Sequence, residues 1–132
     1  MATGAPRQGF LSRLLPASGS EQFFDLLEPE LTVFHMHGDT YELPADARHL
    51  ARSALYEQQA FRWGDVVYGL QFHLEFTETM IQKLATEADS RAYITGAGVD
   101  PQSLVRDAAT HVRRLGIVVE KVFSEFFAQC GL

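Results

Sequence analysis

The order of local patterns along this 132-residue chain predicts an α/β fold built around one core, with strand-like segments first and helices after. Three observations carry that prediction. Short apolar runs bounded by Gly, Pro and Asp dominate residues 31–73, the signature of strands and tight turns. An apolar stripe at helical spacing begins after Thr77 and again after Asp100. Apolar residues make up 46% of the chain against 21% charged, which is ample for a core and far from the disordered class.

Residues 1–20 mix Gly, Pro, Ser and Arg without a period, and read as a flexible N-terminal segment or the edge of something longer. The folded domain is therefore expected over 21–132. A helical turn is expected at 21–27, ended by Glu28-Pro29, followed by a buried strand over 31–37 that Gly38-Asp39 stops. After a loop containing Pro44, residues 49–55 read as a second short strand. Residues 59–63 and 66–73 then read as a hairpin, with Gly64-Asp65 as a two-residue type II′ turn.

Thr77 is a candidate N-cap, and Met80, Ile81, Leu84 and Ala85 recur at helical spacing, which predicts a helix over about 78–88. Asp100-Pro101 repeats the logic, a capping side chain followed by proline at the first helical position. Leu104, Ala108, Val112 and Leu115 mark one face of that second helix. Gly116 is expected to interrupt it, with Val119, Val122, Phe123 and Phe126 forming a separate stripe beyond.

A net charge of -6 argues against the basic surface that supplies most non-specific nucleic-acid affinity, so no nucleic-acid partner is expected. The single cysteine, Cys130, rules out an intrachain disulfide and a Cys-rich zinc site, and fits a reducing, cytoplasmic compartment. No stretch reaches the roughly 18 apolar residues of a membrane helix. No membrane partner is expected.

The chemistry concentrates in residues 68–75, Tyr-Gly-Leu-Gln-Phe-His-Leu-Glu. In an extended backbone His73 and Glu75 emerge on one face and Leu74 on the other, so the carboxylate can orient the imidazole. That pair is the base-and-orienter part of a nucleophilic triad. The carboxylate fixes the tautomer and stabilises imidazolium, while the other ring nitrogen takes a proton from a thiol or hydroxyl.

These eight residues resemble the G-x-Q-F-H-P-E signature of the class I glutamine amidotransferases. Residues 34–40, Phe-His-Met-His-Gly-Asp-Thr, are similar to that family's H-G-D segment, and Ser53-Ala-Leu55 and Gln59-Ala-Phe-Arg62 extend the likeness in the same order. It covers roughly residues 21–128 and is closest to stand-alone and GMP-synthetase-like members. The resemblance implies a flavodoxin-like fold present in partial form, the C-terminal half, and hydrolysis of L-glutamine to glutamate and ammonia through a Cys-His-Glu triad. It implies His73 as general base, Glu75 as the residue orienting it, and His37 and Asp39 as lining the glutamine pocket. It implies no cofactor, and places the ammonia acceptor in another domain or protein.

Two features depart from the family pattern. Leu74 stands where the family usually has proline, and the nucleophile elbow, Gly-x-Cys-x-Gly, has no match; it is expected upstream of residue 21. Cys130 follows a helix with none after it and lacks that elbow context, so it is not expected to be the nucleophile. The chain alone is therefore expected to be inactive. A non-catalytic or partner-completed subunit is the alternative, since half a mainly parallel sheet would leave a strand edge and apolar faces such as Phe34, Phe61 and Phe72 uncovered, inviting a missing N-terminal half, a synthase partner or a second copy. A lesser alternative is a cupin-like metal site, because His35, His37 and Glu42 have H-x-H-x4-E spacing, with His73 as a further ligand.

Overall fold

A computed structural model of the chain describes residues 10–17, 19 and 31–132. Among the described residues six short strands precede three helices: β1 (Leu11–Arg13), β2 (Leu15–Pro16), β3 (Thr32–Phe34), β4 (Arg48–Arg52), β5 (Ala60–Trp63), β6 (Val67–Leu70), α1 (Glu78–Thr86), α2 (Ala88–Gly96) and α3 (Pro101–Gln129). The α/β class and the strands-then-helices order agree with the sequence reading. The turn expected at 21–27 and the boundary at 21 lie outside the described residues.

Two strands fall within the segment expected to be a flexible tail. β1 pairs antiparallel with β3, and β2 antiparallel with β4. Phe10 and Leu14 are buried, which anchors both strands despite the interspersed Ser and Arg that obscure any period. A four-stranded sheet runs β2-β4-β5-β6. Every pairing among the described strands is antiparallel, where the resemblance implies half of a mainly parallel sheet.

The β5–β6 hairpin forms as expected but with a different turn. Trp63 pairs with Val67, so the loop holds three residues, 64–66, rather than two, and Gly64 takes a positive φ of 64° that glycine reaches at no steric cost. β6 ends at Leu70. The following residues return to β3 through one antiparallel bridge between Phe34 and His73.

Thr77 caps α1, its side chain accepting from the Met80 amide, and Asp100 caps α3, accepting from Ser103, with Pro101 in the first turn. α2 had no counterpart in the sequence reading. Its residues place only Ile94 in the core, and its N-terminus has no side-chain cap, so neither periodicity nor capping announces it. Gly116 does not interrupt α3, which runs unbroken for 29 residues. A helical glycine costs about 1 kcal/mol relative to alanine. Leu115, Val118 and Val122, all buried, carry one apolar face straight past it and offset that cost.

α3 is the common wall of two apolar clusters. Its first half packs Leu104 and Ala108 against Phe10, Phe34, Ile81 and Ile94, while its second half packs Leu115, Val118 and Val122 against Val33, Leu50, Phe72 and Leu74. Phe34 and Phe72 are thus covered from within this chain, and the expectation that they would be left bare is corrected; Phe61 is partly covered. Exposed apolar side chains lie elsewhere, among them Trp63, Val66 and Val67 on the hairpin tip and Ile117, Phe123 and Phe127 on α3.

Candidate active site

His73 and Glu75 sit on the short extended passage between β6 and α1. The His73 amide donates to the Phe34 carbonyl at 2.8 Å, so the His73 backbone is fastened to a core strand. Leu74 turns the other way and is buried against the sheet-side cluster. Alternation of side chains along an extended backbone puts the two ionisable groups together. His73 Nδ1 lies 2.7 Å from Glu75 Oε1.

A carboxylate can only accept, so that contact places the proton on Nδ1 and leaves Nε2 with a bare lone pair. The His73 side chain is 40% exposed and can meet a reacting group. Its ring is held edge-on by Phe76, centroids 4.9 Å apart, with Phe34 at 6.4 Å on the same side. Partial burial pushes the Glu75 carboxyl up, but hydrogen bonds from its own backbone amide and from His73 outweigh it, and the net effect holds Glu75 below the usual carboxylate range. The Glu75 carboxylate keeps its charge.

His37 and Asp39 form a separate corner beyond β3. His37 Nδ1 donates to the Asp39 carbonyl at 2.8 Å, so it is the backbone and not the carboxylate of Asp39 that meets the ring. His35, two residues earlier, is only 1% exposed, and its ring lies 5.0 Å from that of His37. Burial, and then the nearby charges that His37 and His73 would carry, lower His35 to a pKa of about 4. It is a neutral core imidazole at physiological pH.

The cupin-like spacing does not close into a ligand set here. Among the described residues no three His, Cys, Asp or Glu side chains are placed to hold a metal ion, and Glu42 lies exposed. Cys130 is an exposed C-cap of α3. The helix end that bears it is tied to β6 by the Tyr68 hydroxyl, which donates to Gln129 Oε1 at 3.0 Å. No described helix is long and apolar enough to cross a membrane.

Sequence reasoning did not single out Tyr56, Phe76 or the neutral state of His35. Phe76 directly follows Glu75, and its role could have been read from that adjacency. Tyr56 lies in a loop without a period, and nothing in the sequence marks it.

No family model matches the chain, and no curated protein matches its sequence. Solved structures do. A glutamine amidotransferase from Thermotoga maritima superposes with a TM-score of 0.80 at 24% identity, over 93% of this chain and 52% of that one. A glutamine amido transferase from Methylobacillus flagellatus gives 0.76 at 23% identity, over 92% and 52%. The chain thus spans about half the length of the structures it matches. Over nearly all its length, this chain carries the fold of the glutamine amidotransferases.

Proposed function

We propose that the chain is the C-terminal half of a class I glutamine amidotransferase domain and supplies the base and orienter of a Cys-His-Glu triad that hydrolyses L-glutamine. The observation that carries this reading is the 2.7 Å contact between His73 Nδ1 and Glu75 Oε1, just beyond β6 and within the signature-like segment 68–75. The fold likeness supports it.

In this reading His73 Nε2 takes the proton of a thiol supplied from outside the described residues, and the thiolate attacks the carboxamide carbon of glutamine. The imidazolium then delivers its proton to the departing nitrogen, which leaves as ammonia, and a thioester remains for water to cleave. Glu75 acts throughout on Nδ1, holding the tautomer and stabilising the imidazolium without itself gaining the proton. His37 and Asp39 border the glutamine pocket.

The 132-residue chain alone is expected to release no ammonia from L-glutamine. Adding a complementary half that bears the Gly-x-Cys-x-Gly turn should start the reaction, and His73→Ala in the added mixture should slow it by about 10²- to 10⁴-fold, the scale of general acid–base catalysis. Steady ammonia release by the chain alone, abolished by His73→Ala, would overturn the division of the triad. Release from the mixture that is indifferent to His73 would overturn its role.

The partner-completed form of this reading has an observation in its favour. Phe123 and Phe127 on α3 are 44% and 47% exposed, and Trp63 at the hairpin tip is 53% exposed, all large apolar side chains that one half of a domain leaves for another to cover.

A further inference from the structure

The loop between β4 and β5 is more tightly built than a connection needs to be. Ser53 and Gln59 are 3% and 1% exposed, and the Gln59 carboxamide donates to Ser53 Oγ at 3.1 Å. The Ser53 amide donates to the Tyr56 carbonyl at 2.8 Å, and the Tyr56 amide returns to Ser53 Oγ at 3.3 Å. Buried polar groups are costly unless paired, so this closed ring of bonds fixes the backbone of residue 56.

What it fixes is the direction of the Tyr56 side chain, which is 5% exposed. The ring stands against His37, centroids 4.9 Å apart at 60°, and the hydroxyl donates to the Gly38 carbonyl at 3.3 Å. Both contacts fall on the His37–Asp39 corner, one on the imidazole and one on the peptide that follows it. The same loop leads to the catalytic passage, because the Gln71 amide donates to the Gln59 carbonyl at 2.9 Å, two residues before His73.

We propose that Tyr56 is a positioning residue for the His37–Asp39 corner, acting through the Gly38 carbonyl and the His37 ring. Clamping the Gly38 peptide holds the next carbonyl, that of Asp39, where it accepts from His37 Nδ1. A carbonyl cannot donate, so His37 is kept in the tautomer with the proton on Nδ1 and with Nε2 as the acceptor. Nε2 is buried and has no hydrogen-bond partner among the described residues, so a ligand would have to enter the corner to meet it; one that offers a hydrogen, such as an amide or ammonium N–H, would be accepted there, and one that offers only lone pairs refused. The inference about ligand rests on the reading that this corner borders the glutamine pocket; the inference about tautomer does not.

The test is ¹⁵N NMR of the histidine rings in the full 132-residue chain and in Tyr56→Phe, which keeps the ring and removes the hydroxyl. In the parent chain His37 should show one protonated Nδ1 and one bare Nε2. In Tyr56→Phe, still melting cooperatively, the two resonances should draw together as the tautomers mix. Unmoved resonances in Tyr56→Phe would overturn the assignment. Titrating L-glutamine separates the two claims. His37 resonances that respond in the parent, with binding weaker by about three- to tenfold in Tyr56→Phe, support both, at the scale of one neutral hydrogen bond. Resonances that ignore L-glutamine in the parent overturn the glutamine pocket, while the tautomer shift in Tyr56→Phe still decides the role of Tyr56.

Discussion

The ring of Phe61 on β5 lies over the backbone of Gly69 on β6, its cross-strand partner, in the space a side chain at 69 would fill. A Cβ built on Gly69 would stand 2.9 Å from Phe61 Cδ1 and nearer still to Cε1 and Cζ. The two residues belong to separate segments of the amidotransferase likeness, Gln59-Ala-Phe-Arg62 and Tyr68-Gly-Leu-Gln71, and the contact gives one physical reason for both. Glycine in a strand normally weakens it, and here an aromatic neighbour covers the bare backbone.

Gly69→Ala should therefore cost about 1–3 kcal/mol, the range for overpacking, because the Phe61 ring must swing out to make room. In a Phe61→Ala background most of that cost should vanish. A double-mutant cycle on urea midpoints measures the coupling, and additive costs would show that the ring is not what excludes the side chain.

Gly116 makes the opposite prediction. It lies mid-helix in α3, exposed, with nothing within 4 Å of where a Cβ would stand. Gly116→Ala should stabilise the chain by about 0.5–1 kcal/mol, chiefly by restricting the unfolded state. A thermal melt that moves down would mean that the space beside Gly116 is occupied in solution.

Acid should loosen the fold through His35. Its folded pKa of about 4 lies below its ordinary value of 6.5, so between these values the unfolded chain binds a proton that the folded chain refuses. Stability from this residue is complete above pH 6.5 and is lost as the pH falls toward 4, by up to about 3 kcal/mol. His35→Asn should flatten that part of the curve of unfolding free energy against pH. A slope unchanged by the substitution would assign the acid sensitivity to other groups.

Glu75→Ala should release His73 Nδ1 from its carboxylate without disturbing the core, because Glu75 lies exposed while Leu74 carries the packing. ¹⁵N spectra should show the fixed tautomer of His73 give way to a mixture, with the melting temperature within a few degrees of the parent. A retained single tautomer would mean that something other than Glu75 orients the His73 ring.

The parts legible in the sequence were those with local chemistry. Thr77 and Asp100 announce their helices because capping is a contact within one turn, and the His73–Glu75 pairing follows from strand alternation alone. What escaped was set at longer range. Leu115 and Val118 carry α3 through Gly116 because the core they reach is formed by residues far away in the chain. β1 and β2 exist because β3 and β4 are there to receive them, and no period in residues 10–17 foretells it. The burial of Phe34 depends likewise on α1, α2 and α3 folding back over it, and that of Phe72 on α3. His37 and Asp39 were named from resemblance, and the brace that Tyr56 provides them crosses a loop with no pattern to read.

One helix serving as the wall of both clusters has a consequence for how the chain comes apart. Fraying at the sheet-side end of α3 removes support from Phe72 and Leu74, on either side of His73, while fraying at its start uncovers Phe34, whose carbonyl holds the His73 amide. Either opening disturbs the same few residues. The amides of His73 and of mid-α3 should thus exchange with solvent deuterium at one shared, slow rate, as a single cooperative unit.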